Sequence, residues 1–266
     1  MHAFQYHRPG STKDALALGT KGDEPKYLAG GQSLVQAMKL RLASPSDLID
    51  LGGLTDLKAL KVEGSTVTVG AMVRHAEVAA STAVQKAIPA LASLAGMIGD
   101  RQVRHMGTIG GSLANNDPAA DYPAAVLGLG ATVVTSKRKI EADKFFKGLY
   151  ETALEPGELI TSVAFPAPKR AAYMKFKNPA SRFALVGVFV ADFGNGVRVA
   201  VTGAGPSVFR QADMEKALAA KFAPESVAGI KVKADGLNND LHASPEYRAH
   251  LVTVMAKRAV EAALKA

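Results

Sequence analysis

Two pairs of adjacent glycines most strongly constrain how this chain folds. The first pair stands in Ala29–Leu34, AGGQSL, and the second in Met106–Tyr122, MGTIGGSLANNDPAADY. Glycine has no Cβ, so the backbone at both pairs can approach another group closely and adopt a positive φ. We therefore predict that both stretches are loops that lay their backbone against a ligand.

Hydrogen-bonding residues surround both glycine pairs. Thr108 and Ser112 flank the second pair, and a Gln-Ser dipeptide follows the first. Backbone N–H groups at such glycines can point at an anion such as a pyrophosphate. Asp117 and Asp121 come next, where carboxylates are placed to accept hydrogen bonds from ribose hydroxyls. A single glycine pair is often only a tight turn, and neither pair is a G-x-G-x-x-G or Walker motif. Together they favour a dinucleotide held from two sides.

The chain divides into segments of different pattern. Residues 1–56 alternate short strands with helices that Ser11 and Ser33 are placed to cap, which predicts a βαβαβ-like unit with the first glycine pair at a strand-to-helix junction. Residues 57–70 alternate apolar and polar positions around Glu63-Gly64-Ser65, as in a hairpin.

Pro166–Arg170, PAPKR, is the predicted domain boundary. Beyond it we expect long strands at 172–177 and 184–193, and a last helix that Ser244 caps with Pro245 at its first position. We predict an α+β protein with a two-lobed domain at 1–168 (lobes about 1–56 and 57–168) and a smaller domain at 169–266, built from an antiparallel sheet and helices.

Composition excludes several functional classes. The chain has 266 residues, of which 48% are apolar, and no cysteine, so it forms no disulfide and no Cys-ligated cluster. No signal-like or membrane-spanning stretch is visible, and we expect the cytoplasm. The formal charge of +8 permits a basic adaptor for nucleic acid, but no basic run supports it. The histidines lack metal-site spacing and no nucleophile motif is present, so we assign no metal ligand and no catalytic residue.

Two segments carry a family resemblance. Tyr27–Leu51, YLAGGQSLVQAMKLRLASPSDLIDL, and Arg101–Tyr122, RQVRHMGTIGGSLANNDPAADY, resemble the FAD-binding segments of the medium subunits of the carbon monoxide dehydrogenase and xanthine dehydrogenase family of molybdenum hydroxylases. The resemblance continues through Tyr173–Arg182, YMKFKNPASR, and Asp240–Leu251, DLHASPEYRAHL, and so covers nearly the whole chain. It implies a fold similar to the FAD domain of the vanillyl-alcohol oxidase and MurB group.

The resemblance implies a role for each matching position. Residues of the two glycine stretches would contact the pyrophosphate and ribityl chain: Ala29, Gly30, Gly31, Gln32, Ser33, Leu34, Thr108, Gly110, Gly111 and Ser112. Asp121 falls where the family binds the adenosine ribose. Ile98 and Ile160 fall where apolar residues line the flavin ring. Lys175 falls where a lysine approaches the pyrimidine side of the isoalloxazine, and a cation there would stabilise the charge of reduced flavin.

The resemblance also implies partners. Such complexes combine a molybdenum subunit, a small subunit with [2Fe–2S] clusters and the FAD subunit, and a dimer of heterotrimers is expected by analogy. A chain without cysteine fits the flavin subunit and not the cluster subunit. Gln32 stands where many relatives have histidine. Because glutamine has no nucleophilic ring nitrogen, we predict non-covalent FAD.

Several questions stay open in the sequence. The substrate would be chosen by the molybdenum subunit, so CO, a purine, an aldehyde and a heteroaromatic are all compatible, as are NAD⁺, a quinone or oxygen as acceptor. A stand-alone flavin oxidase or dehydrogenase is the alternative function, although no acid–base cluster is visible for it. Arg101 and Arg104 are candidates for phosphate contacts, with solvated or partner-facing positions as the alternative.

Overall fold

The computed structural model describes residues 1–265, and the chain begins with a small parallel sheet of strand order β1-β3-β2. This first lobe contains β1 (Gln5–His7), α1 (Thr12–Leu18), β2 (Pro25–Leu28), α2 (Leu34–Lys39) and β3 (Asp47–Asp50), followed by a 3₁₀-helix at Thr55–Lys58. The predicted βαβαβ unit is therefore confirmed. Ser11 caps α1 by accepting from the Asp14 N–H, whereas the Ser33 side chain makes no capping bond, so that expectation was wrong.

The second lobe places helices against a five-stranded antiparallel sheet of order β4-β5-β10-β6-β7. Its elements are β4 (Leu60–Glu63), β5 (Thr66–Gly70), α3 (His75–Ala80), α4 (Thr82–Ala87), α5 (Pro89–Gly96), α6 (Arg101–Met106), α7 (Ile109–Asn115), α8 (Tyr122–Gly128), β6 (Thr132–Thr135), β7 (Lys139–Glu141), α9 (Ala142–Phe145), β8 (Phe146–Gly148), β9 (Glu151–Thr152) and β10 (Ile160–Pro166). The predicted hairpin is β4-β5.

The remaining residues form a four-stranded antiparallel sheet of order β11-β12-β13-β14 with helices on one face. Its elements are β11 (Arg170–Lys177), β12 (Ala184–Asp192), β13 (Val197–Thr202), β14 (Phe209–Arg210), α10 (Ala212–Ala220), α11 (Glu225–Ala228) and α12 (Pro245–Ala263). Ser244 caps α12 as predicted, through its hydroxyl and the Tyr247 N–H.

Both faces of the third sheet are covered, which explains why β12 is almost continuously apolar. All nine residues of β12 are buried. Val186 and Val188 belong to the cluster that includes Met255 of α12, while Phe189 and Ala191 belong to the core of the second lobe. A Cβ at Gly128 would stand 2.8 Å from the Phe189 ring, so α8 packs directly on this strand. The third sheet is thereby joined to the second lobe by a shared core.

The α+β class, with two lobes followed by a smaller sheet-and-helix unit, is confirmed by this arrangement. The exact domain boundaries stay a prediction. The second glycine pair does not form the predicted loop, because Gly110 and Gly111 lie in the first turn of α7 without a positive φ. No helix in the described part of the chain combines the length and apolar character needed to cross a membrane.

Candidate functional site

The first glycine pair lies at the turn from β2 into α2, as its position in the sequence predicted. Gly31 has a φ of +70°, a conformation that an L side chain rarely adopts. A Cβ on Gly30 would overlap the Met106 carbonyl and stand 2.7 Å from Cα of Gly107. Only glycine therefore allows this turn to lie against the segment that leads into the second pair.

This turn also presents a run of backbone donors. The N–H groups of Gly30–Leu34 have no backbone acceptor within residues 1–265. The Gln32 side chain folds back onto the Gly30 carbonyl at 3.3 Å and leaves those donors free. Successive unpaired N–H groups at a glycine turn form an anion-binding concavity. The first pair consequently provides what a pyrophosphate requires.

The second glycine pair contributes differently from the prediction. The Gly110 N–H donates to the Ala71 carbonyl at 2.9 Å, and the Gly111 N–H donates to Oγ1 of Thr108 at 3.2 Å. Their donors are therefore used within the chain, and the expectation that they point at an anion was wrong. Thr108 is 3% exposed and acts as the N-cap of α7. Ser112 lies in the same helix and is partly exposed.

Close approach is what the second pair supplies instead. A Cβ on Gly111 would stand 3.5 Å from Cβ of Ala29, and one on Gly110 would stand 2.6 Å from Cβ of Ala71. The missing side chain at Gly110 lets α7 lie against the residue that follows β5, whereas a Cβ at Gly111 would meet Ala29 in ordinary van der Waals contact. Two glycine stretches far apart in the sequence thus form one continuous surface.

Asp121 and Lys175 form a buried ion pair. Nζ of Lys175 lies 2.9 Å from Oδ1 and 3.1 Å from Oδ2 of Asp121, with both side chains at most 3% exposed. Tyr173 donates its hydroxyl to Oδ1 of Asp121 at 2.6 Å. Lys175 also donates to the Met97 carbonyl at 2.9 Å. The pair therefore connects α8, β11 and the end of α5.

Burial controls the protonation of this cluster. It raises the pKa of the Asp121 carboxyl above its usual value, while the Lys175 charge and the hydrogen bonds from Tyr173 and Lys175 act in the opposite direction. Burial and the Asp121 charge raise the pKa of Tyr173 well above its ordinary value. Tyr173 consequently remains a hydroxyl donor across the physiological range.

The two apolar site residues are associated with the same core cluster, Ile160 as a member and Ile98 packed against it. Ile98 is partly buried on the connection between α5 and α6, and Ile160 is 3% exposed at the start of β10. Arg104 donates to the carbonyls of Ile98 and Gly99 at 2.9 and 3.1 Å. Its Nη1 group is thus engaged by the backbone rather than free for a phosphate, whereas Arg101 is exposed.

Asp117 lies outside the buried cluster. Its Oδ1 accepts from the Ala119 N–H at 2.8 Å, and Oδ2 lies 3.4 Å from the Tyr150 hydroxyl. It is partly exposed and retains acceptor capacity. Of the two predicted ribose acceptors, Asp117 is accessible, whereas the buried carboxylate of Asp121 is already bound by Tyr173 and Lys175.

Sequence reasoning missed three contributors to the site: Tyr173, Arg104 as a backbone clamp, and the Met97 carbonyl. A signal for the first existed, because Tyr173 and Lys175 are two residues apart on a strand and so share a face. A polar pair on one face of a strand whose middle is apolar indicates a buried partner. The carbonyl contacts have no sequence signal, since any residue carries a carbonyl.

The residues present fit a dinucleotide with an anionic centre. Unpaired N–H groups at Gly30–Leu34 lie where this turn packs against Met106 and Gly107. Asp117 adds an accessible carboxylate just after the end of α7. Within residues 1–265, no cluster of three or more His, Cys, Asp and Glu residues is suited to hold a metal ion.

Comparison with known proteins supports this interpretation. Residues 2–168 match the family described as the FAD binding domain in molybdopterin dehydrogenase. The carbon monoxide dehydrogenase medium chain of Hydrogenophaga pseudoflava is 37% identical, with 98% of this chain and 96% of the relative covered. The nicotine 6-hydroxylase medium subunit of Paenarthrobacter nicotinovorans is 38% identical, with 97% of this chain and 96% of the relative covered. A solved carbon monoxide dehydrogenase structure from Hydrogenophaga pseudoflava superposes with a TM-score of 0.90 at 37% identity and covers 99% of this chain and 98% of its own.

Proposed function

The chain belongs to the family of FAD-binding domains of molybdopterin dehydrogenases, and on this premise we propose that it transfers electrons from iron–sulfur clusters of a partner to an external acceptor. Membership makes it an FAD-binding subunit of an oxidoreductase. The single observation that carries the proposal is the surface formed by the two glycine stretches, which fits the pyrophosphate of FAD.

The two glycine stretches divide the work of holding FAD. The free N–H groups of Gly30–Leu34 would bind the pyrophosphate. The close packing of the Gly30 turn against Met106 and Gly107 would hold those donors toward the dinucleotide, in the cleft between the lobes. Gln32 and Ser33, both exposed, and Ser112, partly exposed, add side-chain hydrogen bonds. Asp117 is the accessible carboxylate for ribose hydroxyls.

The flavin end would lie toward the ion pair. We propose that Ile98 and Ile160 contact the ring and that Lys175 faces its pyrimidine side. Bound FAD supplies the redox chemistry, and the protein positions and tunes it. In the present geometry Asp121 orients Lys175 rather than a ribose, because both of its oxygens lie within reach of Nζ of Lys175. Gln32 offers no nucleophilic nitrogen, which supports non-covalent binding.

Partners follow from the type of subunit. The relatives named above are medium subunits, which implies a small and a large subunit beside them. We propose that this chain works in the cytoplasm with an iron–sulfur subunit and a molybdenum subunit, as a dimer of heterotrimers. The relatives carry names for CO and nicotine as substrates. A medium subunit of this type therefore does not fix the substrate.

The test is the visible spectrum of the chain purified with whatever co-purifies. We expect flavin bands that mild denaturation releases into the supernatant, together with iron–sulfur absorbance in the complex. A complex without flavin contradicts the proposal. Turnover of an organic substrate by the chain with FAD alone, without partner chains, establishes the stand-alone flavin enzyme instead.

A further inference from the structure

We propose that Tyr173 is a positioning residue of the flavin site, which fixes the Asp121–Lys175 pair so that the Lys175 charge favours reduced over oxidised flavin. The inference rests on the proposed function, in which Lys175 faces the flavin. Its Nζ is already hydrogen-bonded to Asp121 and to the Met97 carbonyl, so its charge acts on the flavin through space rather than by a hydrogen bond. It assigns to a residue outside the predicted FAD contacts a part in setting the reduction potential.

The structure holds Tyr173 in a single position. The side chain is 3% exposed, and its ring stacks on Phe189 of the neighbouring strand with centroids 6.3 Å apart. Gly187, its diagonal neighbour on β12, provides the space for the hydroxyl group. A Cβ on Gly187 would overlap the Tyr173 oxygen and stand 2.8 Å from Cζ. The sheet is therefore built to aim this hydroxyl at Asp121.

The hydroxyl changes how charge is distributed in the pair. It donates to Oδ1 of Asp121 at 2.6 Å, the same oxygen that lies 2.9 Å from Nζ of Lys175. By occupying a lone pair of that oxygen, Tyr173 draws carboxylate charge away from Lys175. Without the hydroxyl, Asp121 would compensate Lys175 more completely, and less positive charge would act on reduced flavin.

Three variants test this role in the full-length chain. Tyr173→Phe removes the hydroxyl and keeps the ring. Gly187→Ala keeps the hydroxyl and displaces it from Asp121. Tyr6→Phe is the matched control, because Tyr6 also donates to an aspartate, Asp50, at 2.6 Å but on the exposed first strand. Each variant is titrated with oxidised FAD and, under anaerobic conditions, with reduced FAD.

For Tyr173→Phe we expect the affinity for reduced FAD to fall about tenfold relative to the affinity for oxidised FAD. This is equivalent to a reduction potential about 30 mV lower for a two-electron couple. Gly187→Ala is expected to shift the ratio in the same direction, and Tyr6→Phe to keep the wild-type ratio. A purely structural role would weaken both forms equally.

The outcomes separate the two proposals. An unchanged or opposite ratio in Tyr173→Phe overturns the role of Tyr173, whether or not both affinities fall. If Tyr173→Phe does not fold, the ratio measured for Gly187→Ala decides in the same way. A wild-type chain and complex that bind no FAD in either form overturn the proposed function itself.

Discussion

At the scale of single residues, the site depends on a few positions where a side chain is absent or a buried charge is paired. Gly30 and Gly187 each leave space that a Cβ would fill, the first for the Met106 carbonyl and the second for the Tyr173 hydroxyl. The side chains of Lys175 and Asp121 are both buried, so each charge is stabilised by the opposite charge of the other. Replacing any of these residues is expected to disturb the site more than the small change in side-chain size would suggest.

Lys175→Met leaves the Asp121 carboxylate buried without a cation. We expect the free energy of unfolding to fall by roughly 3–5 kcal/mol, because breaking one side of a buried ion pair leaves an uncompensated charge. Lys177→Met is the matched control, since it lies on the same strand and is exposed. Urea unfolding measures both, and equal stability of the two variants would contradict the importance of the pair.

His75 makes stability depend on pH. Burial first, and the Arg104 charge second, lower the pKa of His75 to about 4 in the folded chain. The unfolded residue titrates near its usual pKa of about 6.5. The stability that neutral His75 contributes is therefore fully present above that pH and is lost as the pH falls toward 4. From pH 7 to pH 5 this loss amounts to about 2 kcal/mol.

The His75→Gln variant tests this contribution by urea unfolding at the two pH values. Its loss of stability between pH 7 and pH 5 is expected to be smaller than that of the wild type by about 2 kcal/mol. An identical pH dependence in the two proteins would show that His75 is not the responsible group.

At the scale of elements, the connection between α5 and α6 is held by cations at three consecutive carbonyls. Lys175 binds the carbonyl of Met97, and Arg104 binds those of Ile98 and Gly99. Gly99 has a φ of +48°, so this connection is a tight turn that needs support. The proposed flavin contact Ile98 therefore lies on a segment whose position other elements determine.

Arg104→Met is expected to loosen this connection and to lower stability by about 1.5–3 kcal/mol, the usual worth of hydrogen bonds to a charged group. Arg101→Met serves as the control, because Arg101 is an exposed residue on the same helix. Hydrogen exchange at residues 97–100 reports the effect. Equal protection in the two variants would speak against the clamp.

Element patterns also show which parts of the fold could be predicted. The glycine pairs, the Ser11 cap and the strand patterns predicted the first lobe, the turn at Gly30-Gly31 and the long strands of the third sheet. The second glycine pair misled, because Thr108 caps a helix there and uses the Gly111 N–H. Local composition cannot distinguish a glycine that frees a donor from one that permits close packing. The Lys175 and Arg104 carbonyl contacts needed the tertiary structure.

At the scale of the whole molecule, the C-terminal sheet is part of the flavin domain's support rather than an appendage. Tyr173 and Lys175 reach Asp121, and the Thr202 hydroxyl donates to the Ala120 carbonyl at 2.6 Å. Arg198 of β13 places Nη2 2.8 Å from both oxygens of Asp143 and donates from Nε to the Leu127 carbonyl. The two units should therefore unfold together.

Arg198→Met tests this coupling. Partial burial raises the pKa of Asp143, but the hydrogen bonds and charges of Arg198 and Arg210 outweigh it and hold the pKa below its ordinary value. The pair thus contributes above the usual aspartate pKa, and its contribution is lost as the pH falls through the lowered value. Because Asp143 is 44% exposed, we expect a loss of only about 1 kcal/mol at pH 7.

The control for Arg198→Met is Lys257→Met, which removes an exposed pair with Glu261 within α12. Thermal unfolding at pH 7 and pH 3 measures all three proteins. A deficit of Arg198→Met that persists undiminished at pH 3 would contradict the assigned role of the Asp143 charge.

The most direct measurement is the FAD content of Gly30→Ala beside Gly10→Ala, each purified with its co-purifying partners and quantified as flavin released by mild denaturation. Gly10 has no atom within 4 Å of an added Cβ, whereas one on Gly30 would overlap the Met106 carbonyl. If the two glycine stretches hold FAD, Gly10→Ala retains wild-type flavin and Gly30→Ala loses most of it, with affinity reduced about tenfold or more. A folded Gly30→Ala protein with full flavin content would contradict this site for FAD.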